Sequence, residues 1–192
     1  TNEAGVGDRI RFIKNVSGMW LLEESLRYWK SQGIVLTAAD LARDARVLTR
    51  KQIIDTNDPR FAKPGAMPER IAEYCRETGQ EVPATPAEFA RCIFDSLAHA
   101  YAQSLHELED AANVKVREIN IVGGGSSNEL LNQLTADATG LTVIAGPVEA
   151  TVLGNLIIQM MSAGWIDSLE AGRTLIAESS GRKTFHPQTV RS

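Results

Sequence analysis

Residues 119–137 read INIVGGGSSNELLNQLTAD. A β-rich run from Glu118 to Val122 breaks on Gly123-Gly124-Gly125 and reopens as a helical pattern that continues to about Thr139. β-branched residues suit a pleated strand, and consecutive glycines stop it. Ser126, with Glu129 three residues on, matches the reciprocal capping pattern that starts a helix. Gly140 ends this helix, Leu141 to Ala145 (LTVIA) is a second short strand, and Gly146-Pro147 turns the chain. Glu149 to Ala163 then forms an apolar helix stopped by Gly164. Two strands joined by a helix make a crossover, so the pair is expected to be parallel. A strand ending in glycines at a helix start puts bare backbone beside unpaired N–H groups, a seat for phosphate or nucleotide. Two common forms of that seat fail on spacing. The dinucleotide fingerprint needs a glycine where Asn128 stands, and Gly181-Arg182-Lys183-Thr184 would need the first glycine of a P-loop where Ile176 stands.

Upstream, the sequence is helical. RIRFIK (9–14) alternates apolar and basic residues and predicts a half-buried strand. Met19, Leu22, Leu26 and Trp29 mark a helix with Gly33 past its end, and Thr37 caps another from Ala38 to about Leu48. Residues 55–68 (DTNDPRFAKPGAMP) are dense in turn formers and read as a long loop too polar for the core, with Asp55 and Asp58 as turn residues. Pro68 and Gly79 bracket a helix with Ile71 and Cys75 inward. Thr85-Pro86-Ala87-Glu88 is a second capping pattern. It opens a helix to about Ala112, roughly 40 Å at 1.5 Å per residue, with Phe89, Ile93, Leu97, Tyr101, Leu105 and Leu108 on its apolar side.

The 192 residues carry 43% hydrophobic and 23% charged residues, a globular balance, and about 150 residues per domain gives one domain or one and a fraction. Twenty Lys+Arg against 24 Asp+Glu leave a net charge of −4, which provides no basic field for nucleic acid. The longest apolar stretch, Val152 to Met161, contains Asn155 and Gln159 and is too short to span a bilayer. With two cysteines and no apolar leader, the expected setting is reducing and cytoplasmic. An antiparallel helix hairpin would bring Cys75 and Cys92 level, either bonded or as two buried thiols. His99 and His106, seven apart, do not have the spacing of a two-histidine metal pair.

The combination Gly123-Gly124-Gly125-Ser126-x-Asn128, Asn132-Gln133, Ala136-Asp137 and Gly140 resembles the adenosine-binding turn in the C-terminal lobe of the FGGY carbohydrate kinases. IAGPVEATVLGN (144–155) resembles the segment that follows it. FIKNVSGMWLLEES (12–25), DPRFAKPGAMP (58–68) and ARCIFDSLAHAYAQSLHEL (90–108) resemble, more narrowly, the members that phosphorylate L-rhamnulose; fuculose and xylulose kinases share the scaffold.

The resemblance implies an α/β fold: an incomplete actin/hexokinase-like (ribonuclease H-like) ATPase lobe, helix-rich, with a small mixed sheet and a C-terminal βαβ unit. It implies a helical part at about 15–112, a nucleotide-binding part at about 116–164, and a C-terminal helix and tail at 165–192. It implies ATP and Mg²⁺, and nucleotide contacts by Gly123, Gly124, Gly125 and Asn128. Asn15 matches a sugar-contacting position, with helix capping as the alternative. Glu23 stands where the family has a Gln that touches ATP; the alternative is an i,i+4 pair with Arg27. The general base, the remaining phosphate turns and most sugar contacts of such kinases belong to their N-terminal lobe, so no catalytic residue and no metal ligand is assigned here. The start at Thr1-Asn2-Glu3, without Met, carries the expectation of a piece of a longer kinase, inactive alone. Its strand edge beside residues 9–14 would pair with the missing lobe or a second copy. Two other classes remain open: a non-catalytic nucleotide-binding module and a helical interaction module.

Overall fold

The computed structural model describes residues 2–4, 10–49 and 52–188. The chain divides into two compact units, Thr1–Lys115 and Val116–Ser192. Among the described residues no helix is long and apolar enough to cross a membrane.

The first unit begins with strands β1 (Asn2–Ala4) and β2 (Ile10–Phe12), paired antiparallel with Glu3 opposite Arg11. An ion pair of 3.2 Å joins those two side chains. The strand expected to be half-buried is fully exposed, with Ile10 at 74% and Phe12 at 52%, and Arg9 lies outside the described residues. Alternation marks a face suited to burial; it does not supply the cover. One edge of β2 is taken by β1.

Helix α1 (Trp20–Ser31) buries Leu21, Leu22, Ser25 and Trp29, together with the carboxylate of Glu24. Glu24 pairs with Arg27 and accepts the Gly65 N–H at 3.0 Å, which ties the long loop to the helix. Helix α2 (Ala38–Ala45) starts on Thr37 as expected, through a reciprocal capping box with Asp40, and ends three residues before Leu48. In the loop, Asp55 and Asp58 accept main-chain N–H groups from Asn57 and Arg60, the turn role expected of them. The loop is not too polar for the core. Its 3-10 turn Pro59–Phe61 buries the Phe61 ring to 2% exposure against Tyr74, and the Phe61 carbonyl accepts Trp20 Nε1–H at 3.1 Å. A single aromatic among turn formers was outweighed by their composition.

Helix α3 (Met67–Glu77) turns Ile71 and Cys75 inward, and α4 (Pro86–Ala112) opens on the Thr85–Glu88 capping box. The expected single stripe on α4 understates its burial. Residues 92–98 are buried without interruption, so this stretch is enclosed on all sides. Cys75 and Cys92 are free thiols, both buried; the neighbouring Cys75 thiol and burial push the Cys92 thiol well above its ordinary range. Titration with a thiol reagent is therefore expected to find no reactive thiol in the folded protein and two after denaturation. A disulfide would leave none in either state.

The second unit has the sheet order β3-β4-β5. β3 (Glu118–Ile121) and β4 (Thr142–Ala145) are parallel, joined through α5 (Glu129–Thr139) as the crossover predicts, and β5 (Lys183–Phe185) adds antiparallel to β4. The sheet is therefore small and mixed. Leu130, Leu131 and Ala136 of α5 and Val143 and Ala145 of β4 are buried. Helices α6 (Ala150–Ser162) and α7 (Leu169–Ser179) meet where Gly172 faces Ile157, the one buried residue of α6 among those described. A Cβ at Gly172 would lie 2.4 Å from Ile157 Cγ2, closer than real contacts allow. Gly172→Ala is expected to cost about 1–3 kcal/mol by overpacking. In urea titrations, the Gly172→Ala/Ile157→Ala double variant should lose less than the sum of the single variants.

Candidate functional site

The glycine turn is built from the end of β3 outward. Gly123 has φ 80° and ψ −168°, a conformation open in practice only to glycine. Its carbonyl accepts both the Ser126 N–H at 3.0 Å and the Ser126 hydroxyl at 2.7 Å, closing a 3-10 turn over Gly124–Ser127. The Gly123 N–H donates to the Pro147 carbonyl at 3.0 Å and the Gly146 N–H to the Ile121 carbonyl at 2.7 Å. The turn after β3 is thus tied to the turn after β4 at the C-terminal ends of two parallel strands, where open α/β sheets place their ligands.

Gly124 and Gly125 differ from Gly123. Neither has a positive φ, and a Cβ added to either would meet no atom of the protein within 4 Å. Close helix–strand packing therefore does not account for these two glycines. No side chain caps the 3-10 turn, and the Gly124 and Gly125 N–H groups have no partner among the described residues. Two unpaired donors on backbone without side chains, at the start of α5, form a site complementary to an anionic oxygen.

Asn128, not Ser126, caps α5: its Oδ1 accepts the Leu131 N–H at 3.1 Å. Both residue types cap helices, but the 3-10 turn has already committed the Ser126 hydroxyl to Gly123, and Glu129 pairs with Lys183. The Asn128 cap fixes its side chain and leaves Nδ2 free to donate outside the turn, with no partner among the described residues.

Asn132 is a contributor that sequence reasoning names only as part of the motif. It is fully buried, and Nδ2 donates to the Ser126 carbonyl at 2.9 Å. Its Oδ1 has no partner among the described residues, a burial that costs about 1–3 kcal/mol. A polar residue on the buried side of α5, beside Leu131 and Thr135, was the available signal.

Gly123, Gly124, Gly125 and Asn128 are thus brought together in one continuous segment. Asn15 and Glu23 belong to the unit Thr1–Lys115. Asn15 is exposed and does not cap α1, whose N-cap is Met19 without any side-chain bond. It lines a groove of about 340 Å³ with Phe12, Lys14 and Glu107, the last two forming an ion pair. Glu23 is exposed in the first turn of α1, and the expected pair with Arg27 is not formed. Arg27 pairs instead with Glu24, three residues before it, with its guanidinium 5.6 Å from the Trp20 ring centroid. The buried Glu24 is already fixed by Gly65 and offers the arginine a preset acceptor.

The model of the FGGY family of carbohydrate kinases, C-terminal domain, matches residues 1–163. A rhamnulokinase of Halalkalibacterium halodurans is 43% identical over 185 residues, covering 96% of this chain and 39% of that protein. One of Enterococcus faecalis is 44% identical over 194 residues, covering 100% of this chain and 39% of that protein. The chain therefore spans about two fifths of the length of these curated relatives. In fold, it is similar to the xylulose kinase from Rhodospirillum rubrum, with a TM-score of 0.62 at 15% identity over 93% of this chain and 35% of that one. It is also similar to Plasmodium falciparum glycerol kinase with ADP, with a TM-score of 0.60 at 12% identity over 86% of this chain and 33% of that one. On the family match and these relatives together, the chain belongs to the FGGY family of carbohydrate kinases, within the family's C-terminal domain.

Proposed function

We propose that this chain is the ATP-binding, C-terminal part of a kinase that transfers the γ-phosphoryl group of ATP to a hydroxyl of L-rhamnulose. In this reading its two units belong to an actin/hexokinase-like (ribonuclease H-like) lobe. The helical part is at about 15–112, the nucleotide-binding part at about 116–164, and the C-terminal helix and tail at 165–192.

The observation that carries the nucleotide role is the state of Gly124 and Gly125: neither backbone strain nor internal packing requires glycine there, and both N–H groups lack partners among the described residues. Such a turn admits the ribose and α-phosphate of ATP to the main chain, with Gly123 setting its shape and Asn128 offering Nδ2 to the base. Residues 123–128 contain no carboxylate, and the unpartnered Gly124 and Gly125 N–H groups are donors, the wrong polarity for a cation. Mg²⁺ would accordingly arrive on the nucleotide phosphates. The carboxylate base that takes the sugar hydroxyl proton is assigned to the part of such kinases that the matched two fifths leaves out. Alone, the 192-residue chain is expected to bind nucleotide without phosphorylating sugar. The relatives named rhamnulokinase support L-rhamnulose over fuculose or xylulose. In this reading Asn15 is the sugar contact.

The test is a calorimetric or NMR titration of the chain with ADP and ATP. Saturable binding that Gly124→Val removes supports the reading. Absence of binding up to millimolar nucleotide, both here and in the kinase that contains this chain, ends it.

Glu23 remains the second nucleotide candidate, as a carboxylate that would repel phosphate. Glu23→Gln is therefore expected to tighten ATP binding by about threefold at low salt, and less at high salt, as screening removes the repulsion. Equal affinities at both salt concentrations would take Glu23 out of the site.

A further inference from the structure

Asn132 touches the glycine turn from beneath, and nothing assigned to the nucleotide site so far accounts for it. Its main-chain N–H donates to the Asn128 carbonyl at 3.0 Å, as α5 requires, while its side chain reaches back past the helix cap to the Ser126 carbonyl. The orientation of the amide follows from its partner. Ser126 O is an acceptor, so the side-chain atom facing it must be the NH₂ group, and a flipped amide would oppose two oxygens. The bond joins the 3-10 turn Gly124–Ser127 to the first turns of α5, in addition to the chain itself and the Asn128 N–H bond to the Gly125 carbonyl at 3.1 Å. Ser126 is held at both ends, its hydroxyl and N–H by Gly123 and its carbonyl by Asn132. The two glycines with free N–H groups lie between Gly123 and Ser126, inside that brace.

We propose that Asn132 is the positioning residue of the nucleotide site, fixing the turn so that the Gly124 and Gly125 N–H groups are already arranged when a nucleoside diphosphate arrives. It touches no ligand itself and acts through Ser126. The proposal rests on the nucleotide reading of the turn. A group that pre-arranges donors spares the ligand the cost of ordering them, so its loss should appear in affinity and not only in stability.

The test compares Asn132→Asp with Thr135→Val in the complete 192-residue chain. Asn132→Asp keeps the size and replaces the Nδ2 donor with an acceptor facing Ser126 O. Thr135→Val removes a buried hydroxyl bond to Leu131 O, inside the same helix and away from the turn. Asn132→Asp is expected to speed amide exchange at Ser126 and Asn128 at least about tenfold and to weaken ADP binding about tenfold. Thr135→Val should lower the melting temperature and leave both readouts within about twofold. An ADP affinity for Asn132→Asp within twofold of the parent overturns the proposal, whether or not the turn loosens. Should Asn132→Asp not fold, Asn132→Ser, which keeps a shorter donor, is read in the same way. If neither the parent nor the kinase that contains it binds ADP, the nucleotide reading fails. The exchange rates then decide the brace separately: unchanged rates dismiss it, and faster ones retain it as a feature of the turn alone.

Discussion

Gly124→Val is expected to abolish ADP binding, by about 100-fold or more, while moving the melting temperature by no more than about 1 °C. The separation follows from the surroundings of one position. A Cβ added at Gly124 meets nothing of the protein within 4 Å, and its φ is not positive, so neither packing at that atom nor backbone strain requires glycine there. The same open side is where a ligand must approach to reach the free N–H groups, and three added carbon atoms would occupy that approach. Gly123→Ala should behave differently. At φ 80° and ψ −168° an L side chain is strained at any size, at about 1–3 kcal/mol, so this variant should lose both affinity and thermal stability. Calorimetry and thermal melts on the two variants measure this contrast. ADP binding by Gly124→Val at the parent's affinity would remove the turn from the nucleotide site.

The sequence was most legible where structure is set within three or four residues. The capping boxes at Thr37 and Thr85, the stop glycines at 33, 79, 140 and 164 with positive φ, and the strand–turn–helix order around Gly123 all depend on near neighbours. Ambiguity began where two local patterns competed for one residue. Ser126 and Asn128 are both capping types, and the choice between them rests on a 3-10 turn that three glycines permit without specifying. What was not legible depends on distant partners. The choice of Glu24 by Arg27 follows from Gly65, 41 residues away, and the burial of Phe61 follows from Trp20 and Tyr74. Continuous burial over 92–98 likewise needs several elements around α4, and a single helical stripe cannot report it. The candidate site divides along the same line. Its glycines and Asn128 were visible as a motif, whereas the brace by Asn132 needs the fold of the turn beneath which it sits.

Arg91→Ala is expected to cost about 3–5 kcal/mol in equilibrium urea unfolding. The Arg91 Nε–H donates to Asp95 Oδ2 at 2.7 Å and an Nη2–H to Asp95 Oδ1 at 3.3 Å, a two-pronged pair one turn apart on α4 with only 14% and 6% of the side chains exposed. The other terminal nitrogen donates to the carbonyls of Leu48 and Ala45 where α2 ends, so one guanidinium both neutralises a buried carboxylate and caps a neighbouring helix. Truncation removes these partners together and leaves Asp95 buried without its counter-charge. Arg91→Lys should recover only part of the loss, because an ammonium on a flexible stem cannot reproduce the planar fork. Arg91→Met combined with Asp95→Leu should be more stable than Arg91→Ala, since an apolar pair of similar volume leaves no unpaired charge. A loss below about 1 kcal/mol for Arg91→Ala would mean that Asp95 finds another partner or reaches water when Arg91 is gone, and the double variant would then show no advantage over the single one.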